Sequence, residues 1–203
     1  MIKTLIFDFG DVFINLDKVG AMQNALNLFQ LKEFSPDMIA CNEAYEQGKL
    51  TSEAFLSFYA KKFPNLTETE ILDAWNFILR DFPTHRLAFL KQLTIDNQYQ
   101  LILLSNTNEL HIKWIQERVP FYQDFKTLFH QFYLSHEIQL RKPNHSIYKF
   151  VLNQNNLNAK TCLFIDDTEE NILAASELGI HTWHINPETD DIVNLFNVKK
   201  DLF

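Results

Sequence analysis

The sequence predicts an α/β protein: a doubly wound parallel sheet with a small helical bundle inserted into it. Three observations predict this. From residue 84 onward, short apolar runs alternate with helical patterns, the signature of a parallel sheet covered on both faces. One further apolar run, Ile2 to Phe7, stands alone at the N-terminus. Between the two lies a stretch with helical periodicity and no strand pattern.

The first strand, Ile2 to Phe7, runs directly into Asp8-Phe9-Gly10-Asp11-Val12. A carboxylate closing an apolar strand is poorly suited to a core and well suited to the rim of a buried sheet, where ligands bind. Gly10 lets the backbone turn sharply there. In the inserted stretch, Val19, Met22, Ala25, Leu26 and Phe29 recur at helical spacing. Thr51 or Ser52 caps a second helix carrying Phe55, Leu56, Phe58 and Tyr59. Thr67 and Glu70 form a capping box ahead of Ile71, Ala74, Trp75 and Ile78. Pro64 and Pro83 punctuate these helices.

After Pro83, Leu87, Leu90 and Leu93 mark a helix, and Leu101 to Leu104 a buried strand. Leu110 to Val119 is helical and Phe132 to Leu134 a strand; Ile147 to Leu152 lies in a helix after Pro143. Leu163 to Ile165 is a strand, Glu169 to Leu178 a helix stopped by Gly179, and His181 to Ile185 a last strand. The division that follows is an α/β core of residues 1–15 and 84–203, with a helical cap of residues 16–83.

The 203 residues are 46% apolar and 22% charged, which fits a packed globular core. The formal charge of −8, with no basic stripe, argues against nucleic acid and membrane surfaces as partners. Cys41 and Cys162 are too far apart for a metal pair and fit a reducing compartment. No signal peptide or membrane-length apolar run is readable, so a cytoplasmic location is expected.

Four polar clusters sit at strand or helix ends: Asp8 to Asp11, Ser105 to Asn108, Arg141-Lys142-Pro143, and Asp166-Asp167 with Asn171 following. A polar residue after a strand is usually a turn or a cap, so each cluster alone is weak. In a doubly wound sheet with the first strand central, however, Asp8, Ser105 and the Asp166-Asp167 pair converge. Three carboxylates in one site repel one another and demand a cation; hard oxygen ligands suit Mg²⁺. A hydroxyl beside backbone N–H groups binds phosphate oxygens, and a lysine neutralises phosphate and attacking carboxylate together.

These four motifs, in this order, resemble the haloacid dehalogenase-like hydrolase superfamily, over nearly the whole chain and including a helical cap. Ser-Asn-Thr-Asn-x-Leu-His from Ser105 to His111, Arg141-Lys142-Pro143, and Asp-Asp-x-x-x-Asn from Asp166 to Asn171 resemble a bacterial branch containing α-D-glucose-1-phosphate phosphatases. The resemblance implies a Mg²⁺-dependent phosphatase acting on a small phosphorylated substrate such as a sugar phosphate. Asp8 would be the nucleophile and form an aspartyl phosphate. Asp8, the Gly10 carbonyl, Asp167 and Asp166 would hold the metal. Ser105, Asn106 and Lys142 would bind the phosphoryl group, and Asn171 would brace the loop.

One departure stands out. Many phosphatases of the superfamily carry a general acid two residues after the nucleophile, where this chain has Gly10. Asp11 and His111 are the nearby alternatives, each with an equally good structural role as turn cap or loop brace. Asp17 reads best as a helix cap, and Tyr45, Trp75 and Phe82 as core aromatics that also suit a sugar pocket. His130, His136, His145, His181 and His184 show no ligand spacing. Two other functions compete. A 2-haloacid dehalogenase needs no metal, which the Asp166-Asp167 pair disfavours. A non-catalytic binding protein on this fold is favoured by Gly10 alone.

Overall fold

A computed structural model describes residues 1–203. The elements run β1 (Thr4–Phe7), α1 (Lys18–Phe29), α2 (Pro36–Glu46), α3 (Ser52–Lys62), α4 (Glu68–Asn76), α5 (Thr84–Asp96), β2 (Gln100–Ser105) and α6 (Glu109–Arg118). They continue with α7 (Tyr122–Thr127), β3 (Gln131–Leu134), α8 (Ser135–Ile138), α9 (His145–Gln154), β4 (Cys162–Asp166), α10 (Glu169–Ser176), β5 (His181–His184) and α11 (Leu195–Val198).

All five strands are parallel, in the order β3-β2-β1-β4-β5. The chain steps outward from β1 through β2 to β3, then returns to build β4 and β5 on the other side of β1. The switch point therefore lies at the carboxyl end of β1, the expected ligand crevice. Side chains alternate across the sheet. Leu5, Phe7, Leu101, Leu103, Leu163 and Ile165 enter one core. Ile6, Ile102, Leu104, Cys162 and Phe164 enter the other. Both faces are buried, which is why the strands read as continuous apolar runs.

The abundance of Phe has a physical use. Phe7, Phe9, Phe13, Phe82, Phe125 and Phe129 pack ring against ring beneath the loop that follows β1. That packing gives the loop a rigid floor. Phe82 belongs to this core, so it is no part of a substrate pocket.

Helices α1 to α4 have a core of their own, built on Phe29, Met38, Tyr45, Phe55, Tyr59 and Ile71. The sequence signals hold at their ends. Asp17 caps α1 by accepting from the Gly20 N–H at 2.7 Å. Thr51 caps α3, and Thr67 with Glu70 closes a complete capping box on α4. Gly179 ends α10's turn with φ of 80°, which favours glycine. The stripe on α1 is narrower than its spacing suggests: Ala25 and Phe29 are buried, whereas Val19 and Met22 face outward. Helix α2 carries signals of its own, Pro36 at its first turn and the stripe Met38, Cys41, Tyr45. No helix is long and apolar enough to cross a membrane.

Candidate active site

Register brings the clusters together. Phe7 pairs with Leu103 on one side and Ile165 on the other. Asp8 is thus level with Leu104 and Asp166, one step from Ser105. The Asp8 N–H still donates to the Ile165 carbonyl at 2.9 Å, extending the sheet to Asp8. Lys142 enters from the loop before α9 and is fully buried. Its ammonium lies 2.8 Å from Asp8 Oδ1 and 2.6 Å from Asp166 Oδ2.

Asp166 is also fully buried and saturated. Its oxygens accept from the Thr168 N–H at 2.8 Å, from Asn171 Nδ2 at 3.0 and 3.1 Å, and from Lys142. Asn171 therefore lies against Asp166, and Tyr148 Oη in turn donates to its carbonyl. Such a network fixes one rotamer for each member. Asn106, expected at the phosphate, uses both ends of its side-chain amide on the Lys142 backbone, each at 3.0 Å. Ser105 Oγ is buried, with only a 3.4 Å contact to the Asn106 carbonyl, and so has a hydroxyl to offer. The Thr107 N–H is already taken by Ser135 Oγ.

The electrostatics are unbalanced. Burial pushes the Asp8 carboxyl up to about 7; Lys142 opposes this, while Asp166 and Asp167 add repulsion. Burial also raises Asp167 against the pull of Lys18. For Lys142, burial works against the charge, but Asp166 and Asp8 outweigh it and hold the ammonium above the usual lysine range. Ligand oxygens of Asp8, Asp166 and Asp167 lie within 4.8 Å of one another. Asp8 Oδ1 is buried and has no aligned hydrogen bond, despite its contact with Lys142. Excess negative charge, an orphaned oxygen and an all-oxygen donor set fit a hard divalent cation.

Gly10 has a steric explanation. A Cβ there would stand 2.6 Å from Leu16 Cδ1. The space in which a side-chain acid would start is filled by Leu16. Asp11 does not take its place. It holds a left-handed conformation, with φ of 56°, accepts from the Leu16 N–H at 2.9 Å, and lies 3.0 Å from Lys18 Nζ. It braces the loop and lies outside the carboxylate trio. His111 lines the cleft with both ring nitrogens engaged. Nδ1 accepts from Asn108 Nδ2, Nε2 donates to the Trp75 carbonyl, and burial lowers its pKa to about 4. A neutral, doubly bonded imidazole is a brace between α4 and α6.

Two cleft residues escaped the sequence reading, Lys18 and Glu46; Arg141, singled out beside Lys142, also lines the cleft. Lys18, from the first turn of α1, contacts both Asp167 and Asp11. Arg141 Nε donates to Glu46 of α2 at 2.8 Å across the cleft. His184 Nε2 donates to the Asp167 carbonyl from the end of β5. Trp75 stacks on His111 and donates from Nε1 to Asn108, whereas Tyr45 packs inside the helical core.

Similarity to known proteins agrees with this geometry. The chain is 28% identical over 193 residues to a D-ribitol-5-phosphate phosphatase of Bacteroides thetaiotaomicron, covering 90% of this chain and 91% of that one. A crystal structure of a haloacid dehalogenase family enzyme from the same organism superposes with a TM-score of 0.85 at 34% identity, covering 96% of this chain and 98% of that one. The wild-type form of that enzyme, in complex with magnesium and inorganic phosphate, superposes with a TM-score of 0.83 at 34% identity, over 97% and 100% of the two chains. Residues 2–179 match the haloacid dehalogenase-like hydrolases, and the chain belongs to that family.

Proposed function

We propose that this protein is a Mg²⁺-dependent phosphatase that hydrolyses a small phosphorylated metabolite through an aspartyl phosphate on Asp8, with residues 16–83 as its cap. The observation that carries the reading is the convergence of Asp8, Asp166 and Asp167 on one point, with the Lys142 ammonium beside Asp8 and Ser105 one step away. The phosphatase similarity and the magnesium–phosphate complex of the related enzyme support it. The acidic trio disfavours carbon–halogen cleavage, which gains nothing from a bound cation.

Asp8 and Asp167 would hold the magnesium with the Gly10 carbonyl, which accepts no backbone hydrogen bond. Asp166, saturated by Lys142, Asn171 and Thr168, acts mainly by holding Lys142. When bound, the metal supplies positive charge for Asp8 and the phosphoryl oxygens. The Asp8 carboxylate attacks phosphorus, and the bond from phosphorus to the leaving oxygen breaks. Lys142 and Ser105 stabilise the equatorial oxygens through positioning and charge. Water then attacks the acyl phosphate and releases inorganic phosphate and the Asp8 carboxylate. Leu16 occupies the space of a side-chain acid, so the leaving oxygen takes its proton from water or from the substrate.

The test is a panel of phosphomonoesters, including sugar phosphates and p-nitrophenyl phosphate, assayed with Mg²⁺ and with chelator. Metal-dependent turnover that Asp8→Asn lowers on the order of 10⁴-fold or more is expected. Chelator-insensitive halide release from a 2-haloacid would overturn the reading.

A further inference from the structure

A second cavity adjoins the phosphate cleft. The cleft itself is about 290 Å³ and contains Asp8, Ser105, Lys142 and Asp167. Lys18, Glu46, Ile78 and His111 line both it and a cavity of about 340 Å³ inside the helical segment. Beyond those shared polar groups, Asn42 is the only polar residue in the second cavity; the other lining side chains are apolar or aromatic. Ala25, Phe29, Phe55, Ile71, Ala74 and Trp75 form much of the wall.

Most of the few polar groups are already engaged, leaving Asn42 Nδ2 and one Glu46 oxygen free. Tyr59 Oη donates to Asn42 Oδ1 at 2.7 Å. Trp75 Nε1 donates to Asn108. Glu46 accepts from Arg141, and both His111 nitrogens are engaged. Lys18 Nζ is turned toward Asp11 and Asp167. A polyol placed here would bury hydroxyls with few partners, which is costly. An apolar group would gain from the same walls.

Resting on the phosphatase reading, we infer that the organic part of this enzyme's phosphomonoester substrate is apolar, an alkyl, prenyl or aryl group seated in the helical-segment cavity while its phosphate faces Asp8. At about 30 Å³ per molecule of a liquid such as water, 340 Å³ holds about ten heavy atoms. The related phosphatase is named for a polyol phosphate; this chain's cavity selects against one.

The experiment is a series of straight-chain alkyl phosphates, methyl to hexyl, assayed beside ribitol 5-phosphate and p-nitrophenyl phosphate on the Mg²⁺-loaded protein. The expected result is a kcat/KM that rises about fourfold per added methylene, with hexyl phosphate well above ribitol 5-phosphate. In Ala25→Phe or Ala74→Phe, which fill the cavity, the ratio of hexyl to methyl phosphate falls toward one. A flat series in wild-type protein, or a preference for ribitol 5-phosphate, overturns the inference while leaving the phosphatase reading intact. If no ester is hydrolysed, the phosphatase reading fails and binding decides the cavity. Hexylphosphonate must then bind more tightly than methylphosphonate by calorimetry, and equal affinities overturn the inference.

Discussion

The Lys142 ammonium lies 2.8 Å from Asp8 Oδ1 with no exposure to solvent, so the counter-charge is sealed in behind a carboxylate that still faces the cleft. The pair is held from behind: Asp166 accepts from Lys142 at 2.6 Å, and the Asn106 amide clamps the Lys142 backbone. Lysine is thereby delivered to Asp8 in one orientation, with its rotamer entropy lost during folding and not during catalysis.

Lys142→Met should therefore harm folding and chemistry alike. It leaves Asp166 buried without its cation, and breaking a buried pair costs about 3–5 kcal/mol. Denaturant unfolding measures that loss. Turnover of the surviving folded protein should fall by about 10²–10³-fold. Asp8→Asn, by contrast, should abolish turnover without a comparable loss of stability, because burial already disfavours the Asp8 charge.

Gly10 and Leu16 form a steric couple. A Cβ on residue 10 would approach Leu16 Cδ1 to 2.6 Å. Gly10→Ala should destabilise by about 1–3 kcal/mol, the usual cost of overpacking. Added to Leu16→Ala it should cost much less, giving a coupling of about 1 kcal/mol in a double-mutant cycle read by denaturant unfolding. Gly10→Asp alone should not raise kcat.

The strands, the helical insertion and the convergence of Asp8, Ser105 and Asp166-Asp167 were legible because they rest on local patterns and on a rule of topology; Lys142, in a loop before a helix, came with the family resemblance. Apolar runs mark the strands, and a central first strand places their ends side by side. What the sequence hid depends on contacts between distant segments. Lys18 looks like an ordinary helix-start lysine until α1 is set over Asp167. Nothing in Glu46 announces Arg141, since 95 residues separate them. Leu16 explains Gly10 only once the loop is folded. The Asn106 side-chain amide holds backbone 36 residues away, a partner that nothing near it in sequence announces. Helix α2 is different: Pro36 and the stripe Met38, Cys41, Tyr45 were available in the sequence, diluted by polar neighbours.

His111 gives a pH signature. Its folded pKa is lowered to about 4, from an unfolded value near 6.5, because burial disfavours its charge. Below about pH 6.5 the unfolded chain binds a proton that the folded one refuses. Stability from this residue is thus full above pH 6.5 and lost as pH falls toward 4. The ring is half-buried, which discounts the effect to about 1–2 kcal/mol at pH 5. His136 is shifted in the same direction by burial. His111→Gln should flatten the dependence of unfolding free energy on pH between 5 and 7 relative to wild type, and the difference between the two curves measures it.

With Asp167 as a magnesium ligand, Lys18 and the metal would compete for it. The lysine contacts that carboxylate from a position about half-exposed. Exposed pairs are worth about 0–1 kcal/mol. Lys18→Met should therefore tighten Mg²⁺ binding by up to about fivefold in calorimetry, and Asp167→Asn should weaken it severely. Saturating Mg²⁺ at 100 times its Kd should add about 2.7 kcal/mol of stability to wild type, and chelator should remove it.

Whether Asp8 carries the phosphoryl group can be read by chemical trapping. The Mg²⁺-loaded protein is quenched in acid during turnover of p-nitrophenyl phosphate and reduced with borohydride, which converts an acyl phosphate to the alcohol. Peptide mass spectrometry then locates the product. Homoserine is expected at residue 8 and nowhere else, dependent on both substrate and Mg²⁺. Continued turnover in Asp8→Asn, or trapping at any other carboxylate, would contradict this.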